Sequence, residues 1–86
     1  MEEHKNWKKE LAEDFCEEVE GSHKYLDLAE AAYADGNRDE AAFLITMAYE
    51  EKTHAHHIRS RMKKWGTWCE EKEDMWDKLV SRFHNL

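Results

Sequence analysis

Two glutamates and one histidine have the residue types and spacing of a metal-binding site. Glu51 and His54 stand three residues apart in a Glu-x-x-His motif, so a helix places their side chains one turn apart on adjoining faces. Glu18 lies on an otherwise apolar stripe earlier in the chain, where an ionised carboxylate is costly to bury without a partner. Glutamates and Glu-x-x-His motifs build di-metal sites inside helix bundles. The pattern therefore predicts that these three residues hold metal together.

The elements that must position these residues are predicted to be helices. The 86-residue chain has no proline and three glycines, which argues against most β folds because those need turn residues. The turn signals fall near residues 35–37 and 66–67. We therefore predict one all-α domain over residues 1–86, with an antiparallel helical hairpin followed by a short C-terminal helix. The helices are expected at about residues 3–34, 38–65 and 68–84.

The ends of the predicted helices carry recognisable capping residues. Gly36 can adopt the left-handed conformation that ends a helix. Asn37, with Glu40 three residues later, resembles a capping box that opens the second helix. Thr67 and Glu70 repeat this pattern, and we expect them to open the third helix.

Helical periodicity gives each of the first two helices one apolar stripe. Glu18 and Glu51 lie within these stripes, and His54 lies on the flank of the second. An antiparallel hairpin that turns near residues 35–36 places Glu18 opposite the helical turn from Glu51 to His54. The stripes consist of Leu11, Phe15, Ser22, Tyr25, Leu26, Ala29 and Tyr33 on the first helix, and of Ala41, Leu44, Ala48, Ala55, Ile58, Met62 and Trp65 on the second.

Three ligands of this kind supply half of a site for two metal ions. A second hairpin related by a twofold axis would double the set and reach the di-iron stoichiometry. It would also cover the apolar stripes by completing a four-helix bundle. We therefore expect a homodimer or a higher homo-oligomer that binds two iron ions per dimer. Manganese suits the same oxygen and nitrogen donors.

A longer pattern surrounds these residues between Phe15 and Met62. It consists of Glu18 seven residues before Tyr25, the small residues Ala29 and Ala32, Gly36 at the turn, Ala41 and Ala42, and Ala48-x-x-Glu51-Lys52-x-His54-Ala55. With this pattern the segment resembles the rubrerythrin branch of the ferritin-like proteins. The resemblance implies that Glu18 and Glu51 are bridging or terminal iron carboxylates and that His54 is the imidazole ligand. It also implies that Tyr25 donates a hydrogen bond to a ligand carboxylate.

The chain departs from the rubrerythrin pattern in two respects. Rubrerythrins carry a second ligand hairpin, which is missing here, so the resemblance implies a site completed by another copy. Their cysteine-rich rubredoxin module has no counterpart either, since Cys16 and Cys69 form no Cys-x-x-C pair, and a peroxide reductase would need an external reductant. A single ligand hairpin followed by a short helix is similar to the encapsulated ferritins, in which a half-length chain oxidises ferrous iron at a subunit interface.

The charge balance limits the classes of partner. Asp and Glu number 20 against 13 Lys and Arg, a formal net charge of −7 that disfavours nucleic acid and anionic lipid and suits cations. No apolar run approaches the ~20 residues of a membrane span, and the first residues lack the basic and apolar regions of a signal peptide. We expect no membrane association and a cytoplasmic location, or one inside a protein compartment.

The predicted activity is ferroxidase or peroxide-scavenging chemistry, in which Fe²⁺ is oxidised by dioxygen or peroxide. One alternative is a structural or protein-interaction module without metal, in which the third helix covers the hairpin stripe. Another keeps the metal in a purely structural role. A second Glu-x-x-His, formed by Glu20 and His23, is assigned to the solvent face, and His56 and His57 are not expected to be ligands.

Overall fold

Three α-helices and no strand make up the described part of the chain. The computed structural model describes residues 6–86. Over these residues the predicted all-α class is confirmed, whereas the predicted start of the first helix near residue 3 lies outside them. No helix within residues 6–86 has both the length and the apolar character that a membrane crossing requires. The helices are α1 (Trp7–Ala34), α2 (Arg38–Lys64) and α3 (Glu70–His84).

The turn between α1 and α2 follows the predicted capping residues. Gly36 has a φ of +81°, the left-handed conformation expected of it. The amide of Asn37 donates to the Ala32 carbonyl at 2.9 Å, which closes the end of α1 in the manner of a Schellman motif. The Asn37 side chain then accepts a hydrogen bond from the Glu40 amide at 3.1 Å and begins α2.

The junction between α2 and α3 differs from the prediction. Thr67 does not open the third helix, because its amide and its hydroxyl both donate to the Met62 carbonyl, at 2.9 and 3.2 Å, and so close α2. Gly66, with a φ of +72°, makes this reversal possible. The helix starts at Glu70 after Cys69, whose side chain makes no capping hydrogen bond.

The hydrophobic core lies between the two long helices and is closed on one side by α3. The Ser22 hydroxyl is also fully buried and donates to the Ala48 carbonyl of α2 at 2.7 Å. This bond joins the two helices by a short, specific contact. The buried core cluster consists of Phe15, Val19, Leu26, Ala48, Ala55, Met62, Trp76 and Leu79.

α3 packs on one side of the hairpin through aromatic and charged contacts. Trp76 lies against Phe15 and His56, with ring centroids 6.4 and 5.9 Å apart respectively. Arg82 binds α1 by donating to the His23 carbonyl at 3.3 Å and by an ion pair with Asp27. By helical periodicity, the residues on the other side of the hairpin form a second surface that faces away from α3.

We call this second surface the open face. On each helix it follows a series that repeats every seven residues, as expected for two helices that wrap around each other. All but one of the members of the two series are half-buried in the single chain, Trp65 being exposed. The open face consists of Leu11, Glu18, Tyr25 and Ala32 on α1, Leu44, Glu51, Ile58 and Trp65 on α2, and the adjoining Met47 and His54.

Candidate metal centre

The side chains of Glu18, Glu51 and His54 meet on the open face. His54 Nδ1 lies 3.2 Å from Glu18 Oε1 and 3.6 Å from Glu51 Oε2. One potential ligand atom from each residue lies within 4.8 Å of the other two. Among residues 6–86, no other group of three acidic, histidine or cysteine side chains converges in this way. The structure thus brings together the three residues that the sequence assigns to metal.

Small side chains next to the group let α1 and α2 approach each other closely. Ala48 and Ala55, both 0% exposed, lie about one helical turn before and after Glu51. Ser22 lies about one turn beyond Glu18 on α1, and its hydrogen bond to Ala48 fixes the two backbones at this level. The spacing of the helices, and therefore of the two carboxylates, is set by buried packing directly beneath the site.

The group is supported by protein on one side and opens to solvent on the other. The side chains of Glu18 and Glu51 are 27% and 28% exposed, whereas that of His54 is 59% exposed. The carboxylates therefore lie nearer the hairpin core, and the imidazole lies at the rim. A metal ion held by these atoms would have part of its coordination sphere turned away from the chain.

The electrostatics of the site disfavour two free carboxylates. Burial raises the pKa of Glu51 above its ordinary value, and the neighbouring Glu18 carboxyl raises this pKa further, while His54 acts in the opposite direction. A cation placed between the acids would remove the repulsion and hold both in the ionised form.

The donor atoms fit a metal ion of the first transition series. Metal–oxygen and metal–nitrogen bonds of roughly 2.1 Å allow two donors of one ion to lie up to about 4.2 Å apart. Both distances from His54 Nδ1 are below this limit, and the whole set lies within 4.8 Å, about 0.6 Å above it. Two carboxylates and an imidazole suit iron or manganese.

Tyr25 lies in the same series of α1 as Glu18, one position further along it. Its ring is half-buried and packs against the hydrophobic core. Within the described part of the chain, its hydroxyl makes no hydrogen bond to Glu18 or Glu51. Its role as a hydrogen-bond donor to a metal ligand stays a prediction.

The other histidines considered as metal ligands lie outside the Glu18, Glu51 and His54 group. His56 packs against Trp76 on the α3 side of the hairpin. His23, of the second Glu-x-x-His, accepts a hydrogen bond from Arg82 at 3.0 Å, and its partner Glu20 is exposed. His57 is exposed as well. The structure places none of them in the Glu18, Glu51 and His54 group.

Sequence reasoning missed two residues that shape the site. Gly21 lies against the Glu51 carboxyl group, and Ser22 supplies the hydrogen bond between the helices. A glycine in the interior of a long helix is unfavourable, and this signal in the sequence could have identified Gly21. The Ser22 bond had no comparable signal, since an isolated serine on an apolar stripe has many possible partners.

Comparison with known protein families agrees with this geometry. The sequence model of the family described as Rubrerythrin matches residues 9–82, which include all of α1 but its first two residues, the whole of α2 and most of α3. Comparison with curated proteins and with solved structures gave no significant match. Because the family match extends over most of the sequence, the chain belongs to the Rubrerythrin family.

Proposed function

We propose that the protein is a di-iron carboxylate protein that oxidises Fe²⁺ with dioxygen or peroxide at a site shared by two copies of the chain. The observation that carries the proposal is the convergence of Glu18, Glu51 and His54 from two facing helices. Membership in the Rubrerythrin family supports iron as the metal, because proteins of this family typically bind it. Manganese is a second candidate, since the donors suit both ions.

A second copy of the chain would complete the site. Three protein donors are too few for two metal ions, and the exposed His54 edge of the group leaves room for donors from outside the chain. The open face is also rich in apolar side chains that one chain leaves uncovered. Four large ones lie on or beside it: Trp7, Leu28, Phe43 and Trp65, which are 48%, 44%, 55% and 47% exposed. Exposed apolar clusters of this kind favour association.

The carboxylates and the imidazole would have different roles in the site. Glu18 and Glu51 supply negative charge, which stabilises the oxidised ion more than the reduced one because its charge is higher. The neutral imidazole of His54 adds a nitrogen donor at the rim. Bound iron would supply the one-electron redox chemistry that the side chains lack. The solvent side of the group, next to His54, is the route by which a small oxidant would enter.

Metal content and iron-dependent oxygen consumption test the activity. Protein purified without chelator should contain about one iron per chain, as two per dimer requires, and should consume oxygen or peroxide when Fe²⁺ is added. The double variant Glu51→Ala, His54→Ala should lose both properties, while Glu50→Ala and His57→Ala, at exposed neighbouring positions, serve as the matched control. A wild-type protein without metal and without activity would contradict the proposal. Metal without oxidant consumption would indicate a structural ion.

The dimer is tested separately by a charge placed beside the open face. Leu28→Glu should shift the protein from dimer to monomer in sedimentation experiments, because an ionised carboxylate is costly to bury in an interface. Leu86→Glu is the control, since Leu86 is similarly exposed but borders a groove on the α3 side of the hairpin. A wild-type monomer, or an equal effect of both substitutions, would contradict the shared site.

The runner-up function is a structural or interaction module without metal. Its support is the packing of α3, because Trp76 and Leu79 are buried against the hairpin core. That packing lies on the side opposite the open face, so it is compatible with a metal site as well. The metal analysis described above separates the two functions.

A further inference from the structure

We infer that Gly21 is a positioning residue for the metal site, because its missing side chain leaves the space that the Glu51 carboxyl group occupies. The inference rests on the proposed metal-binding function and adds to it a residue that binds no metal itself. Gly21 lies on α1 between Glu18 and Tyr25, one residue before the buried Ser22.

A larger residue at this position would have to displace the Glu51 carboxyl group. A Cβ atom added to Gly21 would lie 2.5 Å from Glu51 Oε1, closer than carbon and oxygen atoms approach in proteins, and 3.5 Å from Glu51 Cδ. The third-nearest atom, at 3.8 Å, is Glu51 Cγ. The nearest neighbours thus all belong to one side chain, and none is part of the α2 backbone.

The common structural reasons for glycine do not apply here. Gly21 lies in the interior of α1, and among residues 6–86 the positive-φ glycines are Gly36 and Gly66. Close helix packing is not the reason either, since the atoms that a Cβ would meet are at the end of a flexible side chain. Glycine weakens a helix relative to alanine. Its one evident effect at this position is to admit the Glu51 carboxylate.

The position of this carboxylate matters because its two oxygens face different neighbours. Oε1 lies over Gly21, and Oε2 lies 3.6 Å from His54 Nδ1. A methyl group at Gly21 would move the Glu51 carboxylate away from α1 and change its distance from both Glu18 and His54. Because the Glu51 side chain is flexible, the displacement would disturb the donor geometry much more than the fold.

Gly21→Ala tests the inference through ferrous-ion affinity, measured by anaerobic calorimetric titration with Fe²⁺ alone. We expect affinity to fall by about tenfold or more, the range seen when the groups that orient metal ligands are changed. The melting temperature of the metal-free variant should be equal to or higher than that of the wild type, since alanine favours the helix. Glu20→Ala, at the adjacent exposed position, should leave the affinity unchanged.

The double variant separates positioning from a general effect. In a Glu51→Ala background no carboxylate lies over Gly21, so Gly21→Ala should change the remaining affinity by less than about twofold, a strongly non-additive result. Three results would overturn the inference: wild-type affinity in Gly21→Ala, an equal loss in both backgrounds, or a lower melting temperature. Failure of the wild type to bind Fe²⁺ would instead refute the proposed function and, with it, the inference that depends on it.

Discussion

Iron binding should raise the melting temperature of the protein, and Glu51→Gln should remove most of that increase. A ligand that binds only the folded state stabilises it by about 2.7 kcal/mol when its free concentration is 100 times the dissociation constant. For a domain of this size each kcal/mol corresponds to about 4–8 °C, so we expect the wild type to gain about 10–20 °C. The unfolded chain lacks the convergence of Glu18, Glu51 and His54, which is why the ion stabilises the native state.

The magnitude expected for the variant follows from the donor count. Glu51→Gln replaces one of the three donors, Glu18, Glu51 and His54. Changing a group that only orients a ligand weakens metal binding by up to about a hundredfold, so loss of a direct ligand should weaken it by at least roughly that factor. At the same iron concentration the stabilisation then falls to about 0.4 kcal/mol, or about 2–3 °C. Without iron the variant should be slightly more stable than the wild type, because glutamine removes the cost of burying the Glu51 charge and then the repulsion between the Glu18 and Glu51 carboxylates.

The assay is thermal unfolding followed by circular dichroism at 222 nm, with anaerobic Fe²⁺ and without it. Glu50→Gln is the matched control, because the neighbouring Glu50 is exposed and lies outside the converging group. It should melt like the wild type in both conditions. Two results would contradict a metal site at Glu51: an unchanged wild-type melting temperature with iron, or equal losses of the iron effect in Glu50→Gln and Glu51→Gln.

Three further predictions concern the scaffold. Burial, and then the Arg82 charge, lower the pKa of His23, so the folded state binds fewer protons than the unfolded state. The free energy of unfolding should therefore fall as the pH drops below about 6.5. In urea unfolding His23→Gln should flatten this pH dependence, and an unchanged dependence would contradict the prediction. Ser22→Ala should lower the free energy of unfolding by about 1 kcal/mol, because the buried hydrogen bond to α2 is lost. Thr46→Ala should leave it almost unchanged, since the Thr46 hydroxyl bonds within its own helix at an exposed position. Equal melting temperatures for the two variants would contradict this prediction. Leu79→Ala should destabilise the protein by about 2–5 kcal/mol in denaturant titration, because this fully buried side chain fixes α3 to the hairpin, and a loss below about 1 kcal/mol would show that α3 is not part of the core.

The sequence was sufficient to predict the parts of the fold that depend on local chemistry. Glycine at position 36 and asparagine at position 37 have few alternatives at a helix end, and both act in the structure as predicted. The apolar stripes and the position of the turn determine the register of the hairpin, and the register brings Glu18 to Glu51 and His54. A candidate site that depends only on helical periodicity and on the position of one turn can therefore be predicted from the sequence.

The features that the sequence could not predict depend on competing contacts in three dimensions. Thr67 has the right residue type for a helix cap, but its hydroxyl and amide both bond to the Met62 carbonyl at the end of α2 instead. Tyr33 and Trp65 belong to the predicted apolar stripes yet are 55% and 47% exposed, and both lie at the ends of the hairpin helices. The relation of Gly21 to Glu51 depends on the path of one side chain, which no spacing rule supplies.

Anomalous scattering at the iron absorption edge, measured on a crystal of iron-loaded protein, tests the central claim most directly because it reports the metal, its ligands and the symmetry of the site together. We expect a pair of iron peaks between two copies of the chain, each within bonding distance of Glu18, Glu51 or His54 side chains. An iron-loaded crystal with no anomalous peak at these residues, or with iron bound elsewhere on the surface, would contradict it.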